Sequence, residues 1–266
     1  MSQKKKVISF SLWGSQPVYV VGAVQNAELA PQVFPGWICR FYASNDVPIE
    51  TLDRLAAYRH VEVLKVDAPG SWLGLFWRFH ALDDDDVDVV IFRDTDSRLN
   101  PREKAAVDEW LTSDKSYHII RDSPLQHAAI NGGLWGARAK IPGGLQRHID
   151  LFLSRQDDPH ARGYSSDQHF LGEIIYPSIA PDAMVHDEYF EGKPFPTTNE
   201  DGQFVGEKVD AGGVPDAIGR EFIKQCRAKP SSSLAVYYHR YASLLQKSPQ
   251  RFNEAVSYFQ RAIGLE

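Results

Sequence analysis

Five short runs of apolar, largely β-branched or aromatic residues recur along the first half of the chain: Val7–Leu12, Trp37–Ala43, Val61–Val66, Val87–Phe92 and Tyr117–Ile120. Their shortness and nearly continuous apolar character predict strands buried on both faces. Between them, Val18–Leu29, Ile49–Tyr58, Trp72–Leu82 and Arg102–Leu111 carry helical patterns. Strand–helix alternation of this length requires crossover connections. It predicts an α/β fold with a mostly parallel, Rossmann-like sheet flanked by helices. Ligands of such sheets bind in the crevice beyond the carboxyl ends of the strands.

The pattern changes after Pro177. From there to Val214 the chain is rich in Pro, Gly, Asp and Glu and shows little periodicity. Irregular segments of this length in compact domains are lids, binding loops or disordered; Tyr189, Phe190, Phe195 and Phe204 favour an ordered loop. Pro230-Ser231-Ser232-Ser233 reads as a boundary that divides residues 1–229 from 230–266. Beyond it, Leu234–Gln246 and Phe252–Leu265 predict a C-terminal helical hairpin, joined by a short loop containing Pro249. Tyr238, Tyr241, Ala242, Ala255, Phe259 and Ala262 give this pair a resemblance to one tetratricopeptide repeat. A lone repeat needs a neighbour to bury its faces. The pair is therefore expected to pack on the preceding domain, to continue into further repeats, or to offer a protein contact. A plain amphipathic hairpin that closes the fold is the simpler reading.

Composition narrows the class. A chain of 266 residues suits one large α/β domain with a small appendage, and its net charge of −6 argues against broad nucleic-acid binding. No run approaches the roughly 20 apolar residues of a membrane span. Val7–Trp13 is too short for a signal-peptide core with a cleavage site. Cys39 and Cys226 have no metal-ligand spacing. Reduced thiols in a cytoplasmic protein are the expectation.

The sharpest chemical feature is Asp94-Thr95-Asp96, directly after the apolar run Val87–Arg93. Residues two apart on a strand share a face, so two carboxylates are delivered side by side where the strand ends. Hard oxygen ligands of this kind suit Mg²⁺ or Mn²⁺, which bind through one or two carboxylates plus substrate phosphates. A metal-bound diphosphate is the implied ligand. Incidental acids at a strand end are the alternative. Asp83-Asp84-Asp85-Asp86 lies at the opposite end of the same strand and reads as a solvated turn.

Further along, Asn131-Gly132-Gly133 pairs a donor–acceptor side chain with two residues that let backbone approach a ligand closely; a simple glycine turn is the competing reading. Ser165-Ser166-Asp167-Gln168 opens the helical pattern His169–Ile175. Capping alone accounts for an acid there, although either serine can cap and leave Asp167 for another task. Arg78, on the stretch leading to the Asp-x-Asp strand, can pair with Asp94 or a phosphate.

Taken together, Val7-Ile8-Ser9-Phe10-Ser11-Leu12-Trp13-Gly14, Phe92-Arg93-Asp94-Thr95-Asp96-Ser97, Ile130–Gly136 and Ser165–Gln168 resemble the GT-A fold glycosyltransferases, over roughly Val7 to Gly206. The resemblance implies transfer of a sugar from a nucleoside-diphosphate donor to an acceptor hydroxyl, in bacterial or viral polysaccharide or glycan synthesis. It implies donor contacts at Ser9, Phe10, Ser11, Arg78, Asp94, Thr95 and Asp96. Asn131, Gly132 and Gly133 would face sugar and acceptor, and Asp167 would be the general base. His186, followed by Glu191-Gly192-Lys193-Pro194-Phe195, resembles the His…Gly-x-x-Lys-Pro-Trp tail of glycogenin-like transferases. That implies His186 as a third metal ligand and Lys193 on the diphosphate, although the spacing departs from the pattern and Phe195 replaces the Trp. Trp13, Trp72, Trp77 and Trp135 can stack on a base or sugar, or belong to the core.

Two other classes compete. A haloacid-dehalogenase-like phosphatase also carries Asp-x-Asp after an apolar strand, but on the first strand and with a later acidic metal motif that is not seen here. A non-catalytic interaction module built around the helical tail would not respond to nucleotides.

Overall fold

The computed structural model describes residues 4–155, 161–190, 193–198 and 201–265. Six elements alternate first: β1 (Lys5–Leu12), α1 (Pro17–Val33), β2 (Ile38–Ala43), α2 (Ile49–Ala56), β3 (Val61–Lys65) and the short α3 (Gly74–Trp77). A 3₁₀ turn, Arg78–Leu82, continues α3 into β4 (Val87–Arg93). Then come α4 (Pro101–Thr112), β5 (Tyr117–Arg121), β6 (Trp135–Ala137), α5 (Leu145–Leu153), α6 (Ser166–Phe170), a π-helical stretch Leu171–Ile175, α7 (Tyr176–Ile179) and β7 (Ala183–Asp187). The chain closes with α8 (Ala217–Ala228), α9 (Leu234–Leu245) and α10 (Phe252–Ile263).

Among the described residues the strands form one sheet in the order β3-β2-β1-β4-β6-β5-β7. β6 is antiparallel to both β4 and β5, while the other neighbouring pairs are parallel. The expected mixed α/β architecture is present, with two strands that the apolar pattern did not resolve. β6 has only three residues, too few for a periodic signal. β7 lies within the stretch read as irregular from Pro177 to Val214, because its sequence, Ala183-Met184-Val185-His186-Asp187, interrupts apolar character with two polar residues.

Strand periodicity divides β1 between two cores. Ile8, Phe10 and Leu12 face α1, α2 and α4, where Phe10 stacks on Phe41 with ring centroids 4.8 Å apart. Val7 faces the other side with Val90, Phe92 and Trp135, under the α3 and α5–α7 layer. α4 starts directly after the Asp-x-Asp loop: Asn100 caps it by accepting the Glu103 N–H at 2.9 Å, and Pro101 occupies the first turn.

The predicted C-terminal hairpin is present as α9 and α10, and α8 joins it. Phe222, Ile223 and Cys226 of α8 pack with Tyr237, Tyr241, Leu245 and Ala255. Leu125, Tyr189 and Phe204 extend this cluster onto the loops of the α/β part. The apolar cluster therefore begins upstream of Pro230, the expected boundary. Among the described residues no helix is long and apolar enough to cross a membrane.

Candidate functional site

The site is assembled from β1 outward. Because Ser9 and Ser11 alternate with Phe10, both serines point towards the turn that follows α3. Ser9 Oγ donates to the carbonyl of Arg78 at 2.7 Å, and the Arg78 N–H donates to Ser11 Oγ at 2.9 Å. Two side chains of the central strand thus hold the backbone of Arg78 in place. Its guanidinium lies beyond the carboxyl end of β4, where Nη1 donates to Asp94 Oδ1 and Nη2 to Asp167 Oδ2, the latter at 2.8 Å. Arg78 and Asp167 are almost fully buried, whereas the Asp94 side chain is 48% exposed. Burial by itself lowers the pKa of Arg78, but the two carboxylates together raise it above its ordinary value. The cation is therefore permanent, and it aligns one solvent-facing acid with one enclosed acid.

Asn131-Gly132-Gly133 lies directly on this triad. A Cβ built on Gly132 would stand 2.5 Å from Arg78 Nη2 and closer still to the Asp167 carboxylate. One built on Gly133 would stand 2.6 Å from Asp94 Cγ. Neither position has room for a side chain, which is the physical reason for the glycine pair. Asn131 Nδ2 donates to the carbonyl of Gln126 at 3.2 Å.

Asp96 continues the Phe92–Asp94 face. Burial, reinforced by the negative charge of Asp94, pushes its carboxyl up to about 6, against the pull of Lys208 and Arg78. Lys208 is brought there by the backbone: Ser97 and Lys208 form an antiparallel bridge, and the Val209 N–H donates to the Asp96 carbonyl at 2.8 Å. Tyr19 of α1 also senses both acids; burial first, then Asp96 and Asp94, raise its hydroxyl above the ordinary value. A cavity of about 260 Å³ opens in front, lined by Trp13, Tyr19, Arg78, Asp94, Asp96 and Tyr164 among others.

A divalent cation fits this donor set. Two adjacent carboxylates, one of them pushed up to about 6 by burial and like charge, form a place where added positive charge is favoured. Among the described residues there is no group of three or more His, Cys, Asp or Glu side chains suited to a metal. A cation on Asp94 and Asp96 would keep open positions for phosphate oxygens and water, the manner of Mg²⁺ and Mn²⁺ rather than of a structural zinc.

The structure brings Arg78, Asp94, Thr95, Asp96, Gly132, Gly133 and Asp167 together as their order in the sequence suggested. Four expectations need correction. Phe10 faces away into the α1–α2 core, and Ser9 is fully buried on Arg78; Ser11 alone of the three lines the cavity. His186 is not a partner of Asp94 and Asp96. It sits on β7, three strands from β4 and so roughly 14 Å away at ~4.8 Å per strand. Its Nδ1 contacts His118 Nε2 at 2.8 Å, and its Nε2 contacts Glu109 at 2.9 Å. Lys193 is held at the same distant edge, where its carbonyl accepts the Asp187 N–H at 2.9 Å; Glu191 and Gly192 lie outside the described residues. Asp167 does not present a free carboxylate: Oδ2 accepts from Arg78, Oδ1 accepts the Gln168 N–H at 2.9 Å, and the side chain is 5% exposed.

Sequence reading missed Tyr19, Tyr164 and Lys208. Tyr19 is one turn into a helix that follows the first strand, which a carboxyl-edge argument could have found. Lys208 follows Gly206 in the irregular segment, and nothing local marks it above Lys193. Of the tryptophans, Trp13 lines the cavity with its ring edge-on to Trp77 at 6.1 Å, while Trp77 and Trp135 are core residues.

No family model and no curated protein matches the chain. Solved structures to which the chain is similar include a glycosyltransferase involved in glycosylation of the major capsid of PBCV-1. It is 16% identical, with 70% of this chain and 83% of that one covered and a TM-score of 0.43. The galactosyltransferase LgtC, in complex with donor and acceptor sugar analogues, is 12% identical over 70% of this chain and 74% of its own, with a TM-score of 0.45. The mannosyltransferase PcManGT from Pyrobaculum calidifontis, in complex with GDP-Man and Mn²⁺, is 13% identical. That likeness spans 100% of this chain and 77% of that one, with a TM-score of 0.46.

Proposed function

We propose that the protein is a glycosyltransferase of the GT-A type that takes a nucleoside-diphosphate sugar as donor, with Mn²⁺ or Mg²⁺ as cofactor and a glycan hydroxyl as acceptor. One observation carries the reading: Asp94 and Asp96 sit at the carboxyl edge of the sheet beside a cavity, with Arg78 bonded to Asp94 and the charge of Lys208 acting on Asp96. Paired carboxylates flanked by fixed positive charge suit a ligand that arrives as a metal diphosphate.

Asp94 and Asp96 would hold the cation, which when bound supplies positive charge to the departing diphosphate. Arg78 orients Asp94. Lys208, close to Asp96, contributes a second positive charge on the phosphate side. Gly132 and Gly133 leave room for the Arg78, Asp94 and Asp167 side chains that shape the site, and Asn131 offers donor and acceptor groups to the sugar hydroxyls. Trp13, Tyr19 and Tyr164 supply ring faces for the base or sugar. Asp167 acts as the counter-ion that positions Arg78, in place of the base role expected from its sequence.

The phosphatase reading is not favoured. The aspartate nucleophile of that class follows the first strand, whereas Asp94 follows β4, the fourth strand along the chain. The test is a thermal-shift series with UDP, GDP, CMP and dTDP, each with and without Mn²⁺. At least one nucleoside diphosphate with Mn²⁺ raises the apparent stability of the wild type, and Asp96→Ala removes that response. A wild type indifferent to every nucleotide, or an Asp96→Ala variant that responds as the wild type does, would refute the proposal.

A further inference from the structure

Val18 and Tyr19 are consecutive at the start of α1, yet they line different spaces. Tyr19 borders the cavity at Asp94 and Asp96; Val18 borders a groove of about 1010 Å³. Lys208, whose charge acts on Asp96, is a wall of that groove. So is Gln126, whose carbonyl receives the side chain of Asn131. Lys208 and Gln126 thus make the groove a neighbour of the Asp-x-Asp site. It runs along the irregular segment at Phe204 and Val214 and ends against the C-terminal helices at Tyr241, Arg251 and Glu254.

We propose that this groove binds the acceptor, and that the acceptor is a neutral oligosaccharide chain; the assignment rests on the donor reading given above. Size is the first argument. At about 1010 Å³ against about 260 Å³ for the donor cavity, the groove exceeds what one sugar ring needs, and it matches the upper end of the ~300–1,000 Å³ seen for small-molecule sites. Charge is the second. Arg251 is consumed within the protein: Nη1 donates to both Asp216 carboxylate oxygens at 2.9 Å, and Nε donates to Glu254 at 2.8 Å. With Lys208 and Arg251 outnumbered on the walls by Asp210, Asp216 and Glu254, the groove has no surplus of cations to seat the phosphate of a lipid headgroup or a nucleic acid. Chemistry is the third. Phe204 and the 61% exposed Val214 offer apolar surface for the C–H faces of sugar rings. Ser123, Gln126 and Asp210 offer donors and acceptors for hydroxyls. The C-terminal helices thereby acquire a role: they form the distal wall that a long acceptor lies against.

The test uses the full chain and two plugs, Val214→Trp and Ala217→Trp, both at exposed positions of the groove wall. The Mn²⁺-dependent nucleotide shift is measured first. A printed array of neutral oligosaccharides is then probed, and the strongest hit is titrated by calorimetry. The wild type is expected to bind at least one neutral oligosaccharide. Each plug should weaken that binding by about 10-fold or more, a loss of about 1.4 kcal/mol, with the nucleotide shift unchanged. No neutral oligosaccharide bound, binding that survives both plugs, or retention only on vesicles carrying anionic lipid would each overturn the proposal. Failure of the donor reading shows separately, as a wild type with no nucleotide shift before any sugar is added. Oligosaccharide binding by such a protein would overturn the acceptor role as well.

Discussion

Gly133→Ala is the most discriminating perturbation of the site, because it adds one methyl group and removes nothing. The new Cβ would stand 2.6 Å from Asp94 Cγ and 3.0 Å from the Asp94 amide nitrogen. Non-bonded carbon atoms settle at about 3.5–4.0 Å, so the Asp94 carboxylate must retreat by roughly 1 Å. It cannot retreat freely, since Arg78 holds Oδ1 and is itself fixed by Ser9, Ser11 and Asp167. Overpacking of this kind costs about 1–3 kcal/mol, which at about 2–4 °C per kcal/mol for a chain of this size lowers Tm by several degrees. Disturbing the group that orients a metal ligand typically costs about 10–100-fold in affinity. Calorimetric titration of the responding nucleoside diphosphate in Mn²⁺ should therefore show a loss of that size, while the far-UV spectrum stays native. Gly172→Ala is the control, because a Cβ there meets nothing within 4 Å; it should leave both Tm and affinity near wild type. If Gly133→Ala binds the nucleotide as tightly as the wild type, Asp94 is not a donor-site ligand and the reasoning fails.

Arg78→Met strands Asp167 as a buried, unpaired acid and should cost about 3–5 kcal/mol in chemical denaturation; an effect below 1 kcal/mol would show that the triad is not a structural unit. The raised carboxyl of Asp96, at about 6, gives a pH prediction. A carboxyl whose folded pKa exceeds its unfolded value contributes stability fully below the unfolded pKa, and loses that contribution as pH rises through 6. Asp96→Asn should therefore raise the Tm of the metal-free protein at pH 7 while abolishing the Mn²⁺-dependent nucleotide shift. In the wild type that shift should weaken as pH falls through 6; a flat profile from pH 5 to 7 would contradict it. His186→Phe should lower Tm through loss of the His118 and Glu109 contacts yet keep the nucleotide response, and loss of the response alone would restore His186 as a metal ligand.

Periodicity in the sequence determined the alternating sheet, the helical pair at the C-terminus and the Asp94–Asp96 pair, while the convergence of Gly132, Gly133 and Asp167 on that pair was implied only by the family resemblance. The first three follow from rules that act locally: period two in β4 delivers Asp94 and Asp96, and apolar runs of four to seven residues declare the parallel strands. What each residue does in that convergence was decided by the tertiary structure. The family resemblance implied Asp167 as a base, whereas the fold buries it in an ion pair with Arg78. A motif resemblance implied His186 on the metal and Lys193 on the diphosphate, but β6 and β5 separate β7, which carries His186 and bridges to Lys193, from β4, and Lys208 arrives through a backbone bridge to Ser97 instead. The groove behind Lys208 exists only because α8, α9 and α10 fold back against the irregular segment. Strand periodicity is a property of neighbouring residues and can be read along the chain. Which charge meets which carboxylate depends on long-range packing that closes in space, and no local pattern encodes it.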